Sequence, residues 1–283
     1  MIPYIQGMLD DLPPDMDGEA ATPAATHLFQ VNIDADDLDE TTAQFFHHNV
    51  AKLLFLCKRA RPDIQTAVAF LCTRVKKPDV DDYKKLIRVM RFLRGTINEP
   101  FTLEADNLSL IKWWIDASYA VHPDMKSHTG GMMSLRRGAT YSTSNKQKIN
   151  VKSSTEAELV GVNDCMPQTL WTRYFLEAQG YDVTESIIYQ DNQSAMLLEK
   201  NGRGSSSKRT RHINIRYFFV ADRVANGEVK IEYCPTGDML ADYFTKPLQG
   251  SIFRKFRNEI MNLSDDSAHV MTLDRRSVLG KPL

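Results

Sequence analysis

The sequence has no apolar run near the roughly 18 residues that a membrane-spanning helix needs, and its N-terminus lacks the basic-then-apolar pattern of a signal peptide. An intracellular chain with no membrane partner is therefore expected. The four cysteines, Cys57, Cys72, Cys165 and Cys234, include no CxxC pair, which argues against a zinc site or a disulfide framework and for reduced core thiols. Residues 1–44 contain no lysine or arginine, against ten Asp or Glu. The formal net charge of −1 hides that asymmetry, because residues 45–283 hold 35 basic and 26 acidic residues. A basic body behind an acidic arm suits a polyanionic partner, and equally a solvated surface with a polar tail. With 42% apolar and 25% charged residues over 283 positions, the chain is neither collagenous nor wholly disordered, and it is long enough for one large domain or a domain with an appendage.

The acidic arm carries Pro3, Pro13, Pro14 and Pro23 and little periodicity, so residues 1–44 are expected to be extended or disordered. Helical spacing then sets in with Val50, Leu53, Leu54 and Leu56, continues with Ile64, Ala67, Val68 and Leu71, and returns with Leu86, Val89, Met90 and Leu93 before Gly95. Residues 45–98 are thus expected to form three helices. From 99 to 263 the pattern changes to an α/β plan. Strands are expected at Leu108–Ala120, Thr129–Leu135 and Ala139–Ser144, with one of Trp113 and Trp114 in the core, and a long helix at Thr155–Gln179. A strand at Ser186–Gln190, helices at Gln193–Lys200 and Ile213–Ala225, a strand at Val229–Cys234 and short helices at Met239–Phe244 and Ile252–Asn262 complete it. Residues 264–283 are expected to be a disordered tail.

Four acids stand in surroundings that do not suit an acid. Asp116 follows Ile111-Lys112-Trp113-Trp114-Ile115 in an expected central strand. Burying an unpaired carboxylate there costs roughly several kcal/mol, so it either has a cation nearby or turns locally onto Ser118. Glu156 completes a capping box with Ser153, but Thr155 with Glu158 fits the same rule further along, and the sequence leaves both open. Asp191 ends the strand Ile187-Ile188-Tyr189-Gln190, where a helix N-cap and a site residue are both ordinary readings. Asp242 follows Met239-Leu240-Ala241 early in a short helix.

Together the four acids carry more information, because they are accompanied by specific strings. These are Trp114-Ile115-Asp116-Ala117-Ser118-Tyr119-Ala120, His128-Thr129-Gly130-Gly131 and Ser153-Ser154-Thr155-Glu156-Ala157-Glu158-Leu159. Further on come Gln190-Asp191-Asn192-Gln193-Ser194-Ala195, Arg211-His212-Ile213-Asn214-Ile215-Arg216 and Leu240-Ala241-Asp242-Tyr243-Phe244-Thr245-Lys246-Pro247-Leu248. In this order they resemble the ribonuclease H region that ends the polyprotein of copia-type retrotransposons. Upstream, Arg59-Ala60-Arg61-Pro62-Asp63-Ile64 and Arg88-Val89-Met90-Arg91-Phe92-Leu93 resemble the end of that family's reverse transcriptase.

The resemblance implies a ribonuclease H-like α/β fold, a mixed five-stranded sheet flanked by helices, preceded by a small helical remnant of the polymerase thumb or connection. It implies that Asp116, Glu156, Asp191 and Asp242 hold two Mg²⁺ (or Mn²⁺) and catalyse hydrolysis of the RNA strand of an RNA/DNA hybrid. In that scheme Asp116 bridges both ions, Asp242 serves the water-activating ion, and Glu156 and Asp191 serve the ion at the leaving oxygen. The other implied partner is the rest of the reverse transcriptase, its palm and fingers, in a cytoplasmic particle or the nucleus. The alternative is a non-catalytic fragment of a degenerate element that binds nucleic acid or supports a polymerase.

Phosphate contacts are expected from Lys146, Lys148 and Lys152 and from the Gly- and Ser-rich loop with Lys208, Arg209 and Arg211. The loop before the last acid, Cys234-Pro235-Thr236-Gly237-Asp238, lacks the mobile histidine of many ribonucleases H, and His212 is the substitute at hand. None of the pairs Asp10-Asp11, Asp36-Asp37, Asp81-Asp82 and Asp265-Asp266 sits in an apolar hairpin, so no polymerase activity is expected.

Overall fold

The computed structural model of the chain describes residues 1–106, 108–201 and 214–263. The first 44 residues are not extended, which corrects the expectation from composition. Helix α1 (Ile2–Asp10) turns Ile5, Met8 and Leu9 inward, and Met16, Leu28 and Phe29 are buried beyond it. Their partner is helix α4 (Val80–Gly95), reached after α2 (Glu40–Arg59) and α3 (Gln65–Cys72). Arg88, Arg91 and Arg94 of α4 donate to the carbonyl oxygens of Thr22, Asp15 and Met16, and Lys85 donates to that of Gln30. Backbone carbonyls fixed by guanidinium groups, together with a few well-spaced apolar side chains, outweigh the prolines and acids that suggested disorder. The arm's charge is matched by ion pairs of Asp11 with Lys52, Asp17 with Arg94 and Asp37 with Lys77.

Local chemistry sets the helix starts. Asp39 accepts the Thr42 N–H at the head of α2, and Asp79 and Asp82 exchange backbone hydrogen bonds in a capping box at the head of α4. Asp82 also pairs with Arg74, and Asp81 with Lys85. The Asp81-Asp82 pair is thus engaged in holding a helix end.

Strand β1 (Glu104–Ala105) pairs only with β4 (Arg136–Arg137). The main sheet has five strands: β2 (Leu110–Ser118), β3 (His128–Ser134), β5 (Tyr141–Lys146), β6 (Glu185–Gln190) and β7 (Lys230–Tyr233). Their order is β5-β3-β2-β6-β7. β3 is antiparallel to both β2 and β5, whereas β6 is parallel to β2 and to β7. This is the expected mixed five-stranded sheet. Helix α5 (Ser154–Ala178) crosses between β5 and β6, and α6 (Gln193–Asn201) and α7 (Asn214–Ala225) between β6 and β7.

Two cores flank the sheet. Ile111, Trp113 and Ile115 of β2 pack with Ala157, Val160 and Val162 of α5 in one of them, which makes Trp113 the core tryptophan. On the other face, a turn of 3₁₀ helix (Leu240–Phe244) and helix α8 (Gly250–Met261) contribute Phe244, Phe253, Phe256 and Ile260 to a core that also contains Phe46, Leu53, Phe70, Val89 and Leu93 of α2–α4. The N-terminal helices and the C-terminal helix therefore share apolar contacts. The expected tail, 264–283, lies outside the described residues.

Candidate metal centre

β2 and β6 run parallel and end side by side, the usual place for sites in α/β sheets. Asp116 lies near the end of β2 and is 2% exposed; Asp191 directly follows β6 and is half-buried. Glu158, 4% exposed, reaches the same point from the first turns of α5. One ligand oxygen from each of Asp116, Glu158 and Asp191 lies within 4.8 Å of the other two.

Glu156, expected to be the family's glutamate, is not among the three acids whose oxygens converge within 4.8 Å. Ser153 caps α5 by accepting the Glu156 N–H at 3.2 Å, and the Glu156 carboxylate accepts the Lys152 N–H at 2.8 Å. Ser153 caps α5 as expected, while the Glu156 carboxylate bonds one residue further back, at Lys152, and the helical turn between positions 156 and 158 directs the second glutamate to the sheet. Gly161 explains the contact. A Cβ there would lie 3.4 Å from Thr129 Cγ2 and 3.7 Å from Ala117 Cβ, so this face of α5 lies close against β2 and β3. Glu158 is one turn before Gly161 on that face; Glu156 is not. The signal in the sequence is the Glu158–Gly161 spacing, which the capping rule does not weigh.

Gln190, fully buried, links two of the acids. Its Oε1 accepts the N–H groups of Asp191 and Asn192, and its Nε2 donates to Glu158 Oε2 at 3.3 Å. Thr236 donates to Asp191 Oδ2 at 3.0 Å. Burial, followed by the charges of Asp116 and Asp191, raises the Glu158 carboxyl well above the usual range. Such a group is a poor lone anion and a good ligand for a cation that would restore its charge.

Asp242 borders the cluster from the 3₁₀ turn. Burial pushes its carboxyl up to about 7, with the Asp116 charge adding to the rise and the Lys246 ammonium opposing it. Lys246 Nζ is 2.6 Å from Asp242 Oδ1 and 3.7 Å from Asp116 Oδ2, and Thr245 Oγ1 donates to that same Asp116 oxygen. The turn is pinned from several sides. Ser118 donates to the Thr245 carbonyl, Ser144 to that of Phe244, and Thr66 of α3 to that of Tyr243.

Behind Ser144 lies a buried chain of histidines. Because the Ser144 hydroxyl donates to Phe244, it accepts from His128 Nε2–H at 2.7 Å, which leaves His128 Nδ1 to accept from His122 Nε2–H at 3.0 Å. The chain requires a neutral His128, and burial disfavours the charged form of His122. Burial lowers His122 to about 4, with Lys146 and Lys126 adding to the fall and Asp124 opposing it; burial lowers His128 to about 3.

Of the expected phosphate contacts, only Lys146, Lys148 and Lys152 fall among the described residues. Lys146 pairs with Asp124 at 2.8 Å, and Lys148 and Lys152 are exposed in the segment before α5. Lys208, Arg209, Arg211 and His212 lie outside the described residues. Lys246 was not anticipated as part of the site, although its string was among those that carried the resemblance.

The donor set fits a divalent cation of the Mg²⁺ type. All the oxygens that converge are carboxylate, the geometry brings three within ligand reach, and like charges so buried need a cation between them. The only cation paired with Asp116 or Asp242 among the described residues is the Lys246 ammonium.

A mixed sheet in this order, with acids at the neighbouring ends of its two central strands and on the crossover helix, defines a ribonuclease H fold. The chain is 34% identical over 202 residues to the retrovirus-related Pol polyprotein from transposon RE1 of Arabidopsis thaliana, covering 71% of this chain and 14% of that one. It is 30% identical over 198 residues to the Pol polyprotein from transposon TNT 1-94 of Nicotiana tabacum, covering 70% of this chain and 15% of that one. Homologues of the chain are thus copia-type retrotransposon Pol polyproteins, and it spans only 14–15% of the length of these two. Among solved structures, an RNase H1 isolated from compost by a metagenomic approach is similar with a TM-score of 0.36 at 14% identity, over 48% of this chain and 92% of that one. No family model matches the chain. No helix among the described residues is long and apolar enough to cross a membrane.

Proposed function

We propose that the chain is a metal-dependent endoribonuclease that hydrolyses the RNA strand of RNA/DNA hybrids during retrotransposon reverse transcription, inside the cell. The observation that carries this reading is the convergence of Asp116, Glu158 and Asp191 to within 4.8 Å, two of them buried, beside Asp242. Glu158 takes the place that the sequence assigned to Glu156. Bound divalent cations would supply Lewis-acid stabilisation of the charge that develops on attacking and leaving oxygens.

The protein's own part is positional. Gln190 orients Glu158 and the Asp191 backbone together, Thr245 orients Asp116, and the pinned turn brings Asp242 alongside. Fixed carboxylates need no reorganisation when a substrate phosphate enters. The capping role of Asp81-Asp82 supports the reading that this segment does not polymerise, since among the described residues that pair holds a helix end rather than a hairpin. The rest of the reverse transcriptase is the proposed partner.

The test is incubation of purified protein with labelled hybrid, single-stranded RNA and duplex DNA, with Mg²⁺, Mn²⁺ or EDTA. Cleavage of only the hybrid's RNA strand, abolished by EDTA, is expected. Hybrid binding without cleavage in either metal would favour the non-catalytic reading.

A further inference from the structure

The ammonium of Lys246 is shared by two of the acids, Asp242 and Asp116. Its Nζ is 2.6 Å from Asp242 Oδ1 and 3.7 Å from Asp116 Oδ2, and among the described residues no ion pair joins Lys246 to Glu158 or Asp191. Four acids gather here, and among the described residues Lys246 is the basic side chain that pairs with Asp116 and Asp242. We propose that Lys246 is an internal counter-cation: it occupies the Asp242 side of the centre in place of a divalent ion, so the resting protein takes one ion on Asp116, Glu158 and Asp191 and admits a second only when the ammonium withdraws. This rests on the reading of the acids as a metal centre.

Three features make the arrangement an exchangeable one. The Lys246 side chain is 39% exposed, whereas Asp116 and Asp242 are 3% and 8% exposed at their side chains, so the cation has a way out and the acids do not. Its backbone sits at the end of the pinned turn, where the Lys246 N–H donates to the Asp242 carbonyl at 2.9 Å. The carboxylate and its counter-ion therefore stay within reach of each other while the flexible four-carbon stem swings. The third is charge. A doubly charged ion close to Asp116 repels the ammonium that shares this carboxylate, and the two cations compete for one anion. Linkage then requires that the ion weakens the lysine contact by the same factor by which the lysine weakens ion binding.

The inference is tested on the full chain without nucleic acid, by titration with Mn²⁺ followed by the electron paramagnetic resonance signal of the free ion and by calorimetry. The parent should bind one ion well and a second weakly. Lys246→Met should bind the second ion at least about fivefold more tightly, within the range usual for coupled sites. Equal stoichiometry and affinity in the two proteins would overturn the proposal. Should Lys246→Met fail to fold, the parent itself decides: Mn²⁺ should raise the acetylation of Lys246 read by mass spectrometry, and unchanged labelling overturns the proposal. Asp116→Asn separates the two levels of argument. If it binds Mn²⁺ as the parent does, the acids are not the ion site and both readings fall. If it loses binding while Lys246→Met changes nothing, only the lysine inference falls.

Discussion

Gly130 lies directly opposite Asp116 in the β2–β3 ladder, and the absence of its side chain is what lets the Asp242 turn come down beside Asp116. A Cβ at Gly130 would stand 2.7 Å from Thr245 Cγ2, 2.8 Å from the Ala241 carbonyl oxygen and 2.8 Å from Phe244 Cβ. Two of these neighbours are a backbone oxygen and a Cβ, which cannot swing aside. Gly130 is therefore part of how the fourth acid reaches the site.

Gly130→Ala should push the 3₁₀ turn off the sheet and break the Thr245–Asp116 hydrogen bond. Overpacking of this kind costs about 1–3 kcal/mol, to be read from urea denaturation curves. A variant within about 0.5 kcal/mol of the parent, the ordinary range for surface changes, would contradict the close approach.

The neutral histidine chain makes one contribution to acid sensitivity that can be isolated. In the unfolded chain a histidine takes up its proton near pH 6.5, whereas folded His122 resists until about 4. Between those values the unfolded state binds the extra proton, so this contribution to stability is lost as pH falls through the window. The buried acids Glu158 and Asp242 respond in the opposite sense, so the total need not follow His122. The comparison that matters is parent against His122→Gln: the stability difference should tilt toward the variant by up to about 1.4 kcal/mol per pH unit between 6.5 and 4. A pH-independent difference would mean that the His122 ring is charged in the folded protein.

The apolar contacts shared by α2–α4 and α8 bear on how the chain can be cut. Asp63, 1% exposed, pairs with Arg61 at 2.8 Å and with Arg257 of α8 at 2.9 Å. Removing residues 1–98 would leave Arg257 without Asp63 and would expose Phe244, Phe253 and Phe256. A protein beginning at 99 should be aggregated or unfolded by gel filtration and circular dichroism, and Asp63→Asn in the full chain should cost about 3–5 kcal/mol. A monodisperse, folded 99–263 would show that the helices are a separable appendage.

Much of this was legible in the sequence because it depends on local pattern. Strand β2 announced itself through Ile111, Trp113 and Ile115, and α5 through a long helical period closed by Gly180. Asp116, Asp191 and Asp242 were identifiable as misplaced acids. What escaped depended on tertiary packing. Ile5, Met8 and Leu9 have helical spacing, but only the guanidinium groups of α4 and the core beneath show why a proline-marked acidic arm folds down. Glu156 and Glu158 satisfy the same rule for a helix start, and the choice between them is made by which face of α5 meets Ala117 and Thr129 across Gly161. Nothing local in the sequence separates Lys246 from the other lysines; its pairing with Asp242 and Asp116 is a product of the fold.

The central claim is that Glu158, not Glu156, completes the metal centre, and one assay compares the two directly. Mg²⁺-dependent cleavage of a labelled RNA/DNA hybrid should be measured for the parent, Glu156→Gln and Glu158→Gln at matched concentrations, after circular dichroism has established that all three are folded. Glu158→Gln removes a carboxylate that burial already disfavours, so it should fold at least as well as the parent without metal. It should lose at least about a hundredfold in rate, equivalent to about 2.7 kcal/mol of transition-state stabilisation. Glu156→Gln keeps an acceptor for the Lys152 N–H and should cut at close to the parental rate. The reverse pattern, with Glu156→Gln inactive and Glu158→Gln at the parental rate, would contradict the account.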